Sequence, residues 1–400
     1  MTAIQHFNYL LIGGGMAADQ AAAGIRSVDA KGSIGILSAD VDAPYARPAL
    51  SKKLWVDDDF HDEDIDLQTA KKQQAQLFLK TIVTGIDPLA HQVKTANGQA
   101  FSYEKLLLAT GAQARQLTGA TSERVIALRS KADYLKIRAF SGQQQTVIVV
   151  GDGFIGSEIA AGLVQSNTQV IYVVAGQQLF ERKLPTALCQ ELEQKYRAAG
   201  VKFYYQKKAA GYQVEANRVE LLLDDGTKLL GDGLVLGLGA EVNYQLAQQA
   251  GLLMDQNGVV VNQQLQTSAT DVWAAGDIIS YPDVILGQTK SEHVKHAIQS
   301  GYVAGQNMAG KVTDYTYTPY FYSWIFDISW EALGMLDTRL QMYQEKLTKG
   351  QLIYYFDDHQ QLQGILSWNA AVDLDHLRNL FRQHPSLSTL QQVLPLKQIK

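Results

Sequence analysis

Hydrophobic and polar positions along this chain follow two different periods, and the places where they switch predict the elements. Phe7 to Ile12 is a short, mostly apolar run that stops at Gly13-Gly14-Gly15. Such a run ending in glycines reads as a buried strand entering a tight turn. Met16 to Ile25 is Ala-rich and helix-prone, and Ser33 to Leu37 is apolar again. The predicted order is strand, turn, helix, strand. It recurs further on: Thr146 to Val150 (TVIVV) meets Gly151-Asp152-Gly153, Phe154 to Gln165 reads as helix, and Gln169 to Val174 as strand. Two βαβ units make a coarse internal repeat, far too long in period for a solenoid. Alternating stretches predict hairpins at Val93 to Tyr103, turning at Asn97-Gly98, and at Val219 to Asp232, turning at Asp225-Gly226. From about Thr313 aromatics cluster (Tyr315, Tyr317, Tyr320, Phe321, Tyr322, Trp324, Phe326, Trp330) and strand-like runs dominate, until Asp373 to Phe381 reads as an amphipathic helix.

Composition narrows the class. The chain has 400 residues, 46% hydrophobic and 19% charged, enough for two or three packed domains. Its 35 basic and 40 acidic residues leave a net charge of −5, so there is no basic footprint for nucleic acid. Asp57, Asp58, Asp59, Asp62, Glu63, Asp64 and Asp66 form the one notable charge run, which reads as a solvated loop. A single cysteine, Cys189, makes an intrachain disulfide impossible and suits a reducing compartment. No stretch reaches the ~18 apolar residues of a membrane span, and the first strand begins too early for a leader peptide. A cytoplasmic location is the expectation, with peripheral membrane association left open. No metal-ligand spacing occurs among the eight histidines.

The glycines carry the chemistry. In Gly13-x-Gly15-x-x-Ala18 the first glycine makes the turn, the second lets a pyrophosphate reach the backbone, and the third position needs a small residue for helix–strand packing. The helix N-terminus offers free N–H groups and the positive end of a dipole to the phosphates. Gly151-x-Gly153-x-x-Gly156 repeats the pattern in full. Two such sites in one chain imply two dinucleotides, and hydride transfer between them is the economical reason for having both. Asp40 is the candidate ribose acid after the first unit. After the second, the strand ends Val173-Val174-Ala175-Gly176 with neither a carboxylate nor an arginine, so NADH and NADPH are not distinguished there.

Gly13 to Ala18, Arg47-Pro48-Ala49-Leu50-Ser51-Lys52, Ala109-Thr110-Gly111, Gly151 to Gly156 and Ala275-Gly276-Asp277 occur in this order. Together they resemble the FAD-dependent pyridine nucleotide oxidoreductases, and more narrowly the ferredoxin-reductase and apoptosis-inducing-factor branch, over nearly the whole chain. The resemblance implies an α/β protein with two Rossmann-like domains and an α+β tail. FAD would occupy residues 1–122 and 241–312, NAD(P)H residues 123–240, and residues 313–400 would cover the flavin. Gly13, Gly15 and Ala18 would cradle the FAD pyrophosphate, with Arg47 on its phosphates. Lys52 would lie beside flavin N5, Thr110, Gly111 and Arg115 in the crossover, and Gly276 and Asp277 against the ribityl chain. Phe154 would gate the nicotinamide. Glu158, four residues on and so on the same helix face, would pair with Lys52 and orient the carboxamide. Glu292 and His293, at the start of an apolar helical pattern, would face the N1–C2=O2 edge of the flavin. His293 is also an ordinary residue for a helix start.

The tail departs from the pattern. Where the branch shows F-W-S-D, this chain has Phe321-Tyr322-Ser323-Trp324. Tyr322 would still cover the flavin, but Trp324 replaces the acid, which puts the electron acceptor in question. No paired cysteines occur, so disulfide reductases are disfavoured, and Cys189 reads as structural. The expected activity is hydride transfer from NAD(P)H to FAD, with NADH favoured by the resemblance. Three fates for the electrons compete: a small ferredoxin- or rubredoxin-like protein, a quinone or oxygen, or slow turnover in an apoptosis-inducing-factor-like redox-sensing protein. The short connection Glu345 to Gly350 weakens the third. The oligomeric state is left open by the sequence, a homodimer among the possibilities.

Overall fold

The computed structural model describes residues 4–399. The chain divides into two compact units. One comprises residues up to Arg47, Asp62–Gln113 and Glu241–Pro319; the other comprises Pro48–His61, Ala114–Ala240 and Tyr320 onward.

The first unit is built on a twisted sheet. Gln5–Ile12 lies between the parallel strands Ile34–Leu37 and Ala100–Leu108, and Ala75–Phe78 extends the sheet beyond Ile34–Leu37. Val272–Ala274 joins parallel to the second half of Ala100–Leu108. Leu10, Leu11, Leu106 and Leu107 are fully buried, as strands covered on both faces require. The hairpin at Asn97-Gly98 forms as the alternation predicts, between Gln92–Thr95 and Ala100–Leu108, with Gly98 in the left-handed region at φ 80°. Two helices, Met16–Arg26 and Val294–Met308, pack closely because their contact is made of small residues. A side chain at Gly301 would strike the Ala17 carbonyl, one at Gly305 the Ala21 carbonyl, and one at Gly24 the Tyr302 carbonyl.

In the second unit, five parallel strands run in the order Lys202–Tyr204, Gln169–Val173, Thr146–Val150, Gly233–Leu236, Val125–Ile126. Helix Phe154–Gln165 has the bounds that the apolar pattern predicts. Ala209–Glu215, Arg218–Leu223 and Lys228–Gly231 form an antiparallel trio, with the predicted turn at Asp225-Gly226. The tail is a six-stranded antiparallel sheet with helix Leu374–Arg382, whose N-cap Asp373 accepts from the backbone N–H groups of Asp375 and His376. The fold is thus α/β, with two Rossmann-like sheets and a separate C-terminal α+β sheet. Among the described residues no helix is long and apolar enough to cross a membrane.

Candidate active site

The first fingerprint has the geometry its residues call for. Gly13 sits at φ 117°, and a Cβ there would collide with the Ala109 carbonyl. Gly15 caps the helix Met16–Arg26 with no side-chain hydrogen bond, so the N–H groups of its first turn are not satisfied by a cap side chain. A Cβ on Gly15 would meet no protein atom. Ala18 is fully buried. Open space at an uncapped helix start, behind a glycine that cannot be replaced, is a cradle that fits a pyrophosphate.

Asp40 and Arg47 are brought together, with Arg47 Nη2 3.4 Å from Asp40 Oδ2. Asp40 also accepts from the Tyr45 hydroxyl at 3.1 Å and from the Val41 N–H at 2.8 Å. Thr110 and Gly111 are latched to Asn243. Thr110 Oγ1 donates to the Asn243 carbonyl, Asn243 Nδ2 to the Thr110 carbonyl, and Asn243 N–H to the Gly111 carbonyl, all at 2.9 Å.

The Gly276-Asp277 turn is held from the helix Val294–Met308. The Gly276 N–H donates to Ser300 Oγ at 3.0 Å, and His296 Nε2 lies 3.3 Å from the Gly276 carbonyl. His296 Nδ1 meets the Tyr315 hydroxyl at 2.8 Å. Burial pushes His296 down to about 3, so the ring is neutral. A neutral ring donating through Nε2 accepts the tyrosine proton at Nδ1. His293 is the N-cap of the same helix, without a side-chain cap bond. Glu292 is exposed and lies 3.4 Å from Lys290 Nζ.

In the second unit the segment Pro48–His61 is pinned by Trp55. Its indole donates to the Leu50 carbonyl at 2.8 Å and packs edge-on to Tyr134, and a Cβ on Gly162 would run into it at 2.7 Å. This brings Lys52 to helix Phe154–Gln165, where its Nζ is 2.8 Å from Glu158 Oε1. The Glu158 side chain is 1% exposed and that of Lys52 17%. Two hydroxyls complete the carboxylate's shell: Ser51 Oγ donates to Oε2 at 2.5 Å and Ser323 Oγ to Oε1 at 2.7 Å. Neither serine stood out in the sequence beyond its place in a motif. The partners are 107 and 165 residues apart in the chain, beyond any periodicity argument.

Tyr322 is half-buried with its ring 5.4 Å from Lys52 Nζ. Phe154 packs against Phe321, Phe180 and Trp330 at ring distances of 5.3, 5.5 and 6.0 Å. Trp324 is 60% exposed. Arg115 N–H donates to the Gly239 carbonyl at 3.0 Å.

The second fingerprint repeats the first. Gly151 has φ 98° and is closed off by the Gly237 carbonyl, a Cβ at Gly156 would strike the Gly151 carbonyl, and Gly153 is the uncapped helix start with open space beside it. Cys189 is buried, its thiol donating to the Leu184 carbonyl at 3.3 Å, and burial pushes its pKa up to about 12. It has no thiolate character. Among the described residues no cluster of His, Cys, Asp and Glu could hold a metal ion.

These two cradles meet their counterpart in sequence comparison. The model of the pyridine nucleotide-disulphide oxidoreductase family matches residues 7–301. The chain belongs to this family. A ferredoxin–NAD(+) reductase component of a 3-phenylpropionate/cinnamic acid dioxygenase, from Photorhabdus laumondii, is 28% identical over 93% of this chain and 95% of that protein. Apoptosis-inducing factor 1 of Dictyostelium discoideum is 29% identical over 98% of this chain and 81% of its own length. Among solved structures, the covalent putidaredoxin reductase–putidaredoxin complex matches with a TM-score of 0.85 and 25% identity, over 94% of this chain and 93% of that one. The protein is therefore an FAD-dependent NAD(P)H oxidoreductase, and its one cysteine excludes a redox disulfide within the chain.

Proposed function

We propose that this protein takes electrons from NADH and passes them to a small iron–sulfur or rubredoxin-like carrier protein. The observation that carries the reading is the buried Lys52–Glu158 pair with its two serine donors in a chain that has two dinucleotide cradles. Bound FAD supplies the chemistry of accepting a hydride from reduced nicotinamide and releasing electrons onward.

The chain's own residues would bind, orient and exclude water. Gly13, Gly15 and Ala18 would admit the FAD pyrophosphate and Arg47 would meet its phosphates. Asp40, Thr110, Gly111, Arg115, Gly276, Asp277, Glu292 and His293 would line the remainder of that cofactor. Gly151, Gly153 and Gly156 would hold the nicotinamide nucleotide. Glu158 would hold Lys52 in place and would align the carboxamide, while Phe154 and Tyr322 would close the site to water. Trp324 would stand where the carrier approaches. Residues 1–122 with 241–312 would be the FAD domain, 123–240 the nicotinamide domain, and 313–400 the cover.

The carrier is favoured because the Photorhabdus relative is a ferredoxin–NAD(+) reductase component by name and putidaredoxin reductase is solved in covalent complex with putidaredoxin. The test is anaerobic titration with NADH, then readmission of air, then addition of an oxidised [2Fe–2S] ferredoxin or rubredoxin. Rapid carrier reduction with slow oxygen reaction supports the reading. Fast reoxidation by air or quinone with no carrier reduction would replace it with an oxidase. A charge-transfer band that persists in air with slow turnover on every acceptor would favour a redox-sensing protein of the apoptosis-inducing-factor kind.

A further inference from the structure

A nicotinamide dinucleotide fold keeps an acid for the adenosine ribose roughly 20 residues beyond its first glycine, at the end of the second strand. Counted from Gly151, that place is the end of strand Gln169–Val173, which continues Val174-Ala175-Gly176 and has no acid. Valine cannot accept a hydroxyl proton, and Val174 is fully buried. A carboxylate nevertheless reaches this strand end from downstream. Glu181 folds back so that its Oε2 accepts the Gln177 N–H at 2.7 Å. The turn is made for it: a Cβ on Gly176 would lie 2.7 Å from the Glu181 carboxyl carbon. The backbone of Glu181 is fixed as well, its carbonyl accepting from Thr338 Oγ1 at 2.8 Å and the Arg182 carbonyl from the Thr338 N–H at 3.1 Å.

Strands Thr146–Val150 and Gln169–Val173 are parallel neighbours with Val150 opposite Val173, so the fingerprint turn Gly151-Asp152-Gly153 and the Gly176 turn leave the sheet at the same level. The charge of Glu181 is felt across that gap. Burial raises the pKa of Asp152 most, against a backbone hydrogen bond that lowers it; the Glu181 carboxylate adds a smaller upward push and Arg182 a still smaller downward one. The backbone N–H occupies one oxygen of Glu181, and Oε1 remains to accept from a sugar hydroxyl.

We infer that Glu181 is the specificity-determining acid of the nicotinamide nucleotide site, accepting from the adenosine ribose hydroxyls of NADH and repelling the 2′-phosphate of NADPH. This rests on the reading of the second fingerprint as the NAD(P)H site. A 2′-phosphate would bring about two negative charges to a partly exposed turn that already carries Glu181 and feels Asp152, a repulsion that water weakens and salt screens.

The test is titration of the oxidised holoprotein with NAD+ and NADP+, followed by protein fluorescence, and with NADH and NADPH, followed by flavin bleaching, for wild type and Glu181→Gln. Glutamine keeps an oxygen for the Gln177 N–H, so the turn is preserved. Expected for wild type is a Kd for NADP+ roughly tenfold or more above that for NAD+, narrowing to about threefold in Glu181→Gln. A second measurement needs no variant: the wild-type ratio should shrink between about 20 mM and 0.5 M NaCl, since salt screens repulsion. Preference for NADP+, or a ratio indifferent to both salt and Glu181→Gln, overturns the assignment of Glu181 while leaving the oxidoreductase reading intact. Binding of neither nucleotide, with FAD present, would overturn the reading of the second fingerprint and this inference with it.

Discussion

Glu158→Gln isolates what the buried carboxylate does. Glutamine has the same shape, so the volume beside Lys52 is unchanged. With its carbonyl oxygen at the Oε1 position it still accepts from Lys52 and Ser323, and its NH2 group faces Ser51, whose hydroxyl can turn to accept. Three hydrogen bonds therefore survive in geometry, but the two with Ser51 and Ser323 lose their charged partner, while the one from Lys52 keeps the charge of the ammonium. A hydrogen bond to a charged group contributes about 1.5–3 kcal/mol and a neutral one about 0.5–1.5, so the two serine bonds together lose about 2–3 kcal/mol. Lys52, 17% exposed, recovers part of this by hydration, which leaves a net loss of about 2 kcal/mol. Glu158→Ala removes the acceptor altogether and strands two hydroxyls and an ammonium, for a loss of about 3–5 kcal/mol. Urea unfolding of the holoprotein, followed by flavin release and circular dichroism together, measures both. In anaerobic stopped flow with NADH, Glu158→Gln should slow flavin reduction about tenfold, equivalent to ~1.4 kcal/mol of barrier, with FAD content unchanged. Loss of under about 0.5 kcal/mol, with reduction at the wild-type rate, would refute the reasoning.

Other outcomes follow from single positions. Gly13→Val should yield colourless apoprotein, because valine cannot adopt φ 117° and its side chain would enter the Ala109 carbonyl; a yellow variant would contradict the first cradle. His296 is neutral in the fold with its pKa pushed down to about 3, below the ~6.5 of an unfolded chain. The unfolded state therefore binds the extra proton, and stability present above pH ~6.5 falls by about 1.4 kcal/mol per unit as pH drops toward 3. His296→Gln, whose amide can still donate to the Gly276 carbonyl, should flatten that part of the pH–stability curve; an unchanged slope counts against the buried neutral ring. Cys189, its thiol pushed up to about 12 by burial, should resist iodoacetamide in the native protein at pH 8 and react on unfolding. Labelling of native protein at the rate of a free thiol would be inconsistent with that burial.

The sequence by itself determined the two βαβ units, because their evidence is local. Apolar runs, the glycine spacing at Gly13 and Gly151 and the helix-prone stretches behind them lie within a few residues of one another, and the strands and helices appear where the periods place them. Lys52 and Glu158 were legible as a pair only through motifs remote from each other. What the tertiary structure decided is what depends on long-range closure. Ser51 and Ser323 become donors to Glu158 because Trp55 pins one segment to helix Phe154–Gln165 and the C-terminal sheet delivers the other, and nothing in the spacing of two serines signals that. His296 is hidden for the same reason: a histidine in a helix shows its grip on the Gly276 turn only when that helix is laid beside the turn. Glu181 reaches a strand end whose local sequence contains no acid because Gly176 leaves room for a chain reversal. Short-range order is set by propensity and pattern. Which polar groups share a buried space is set by packing, since a buried carboxylate must find donors wherever the fold can bring them.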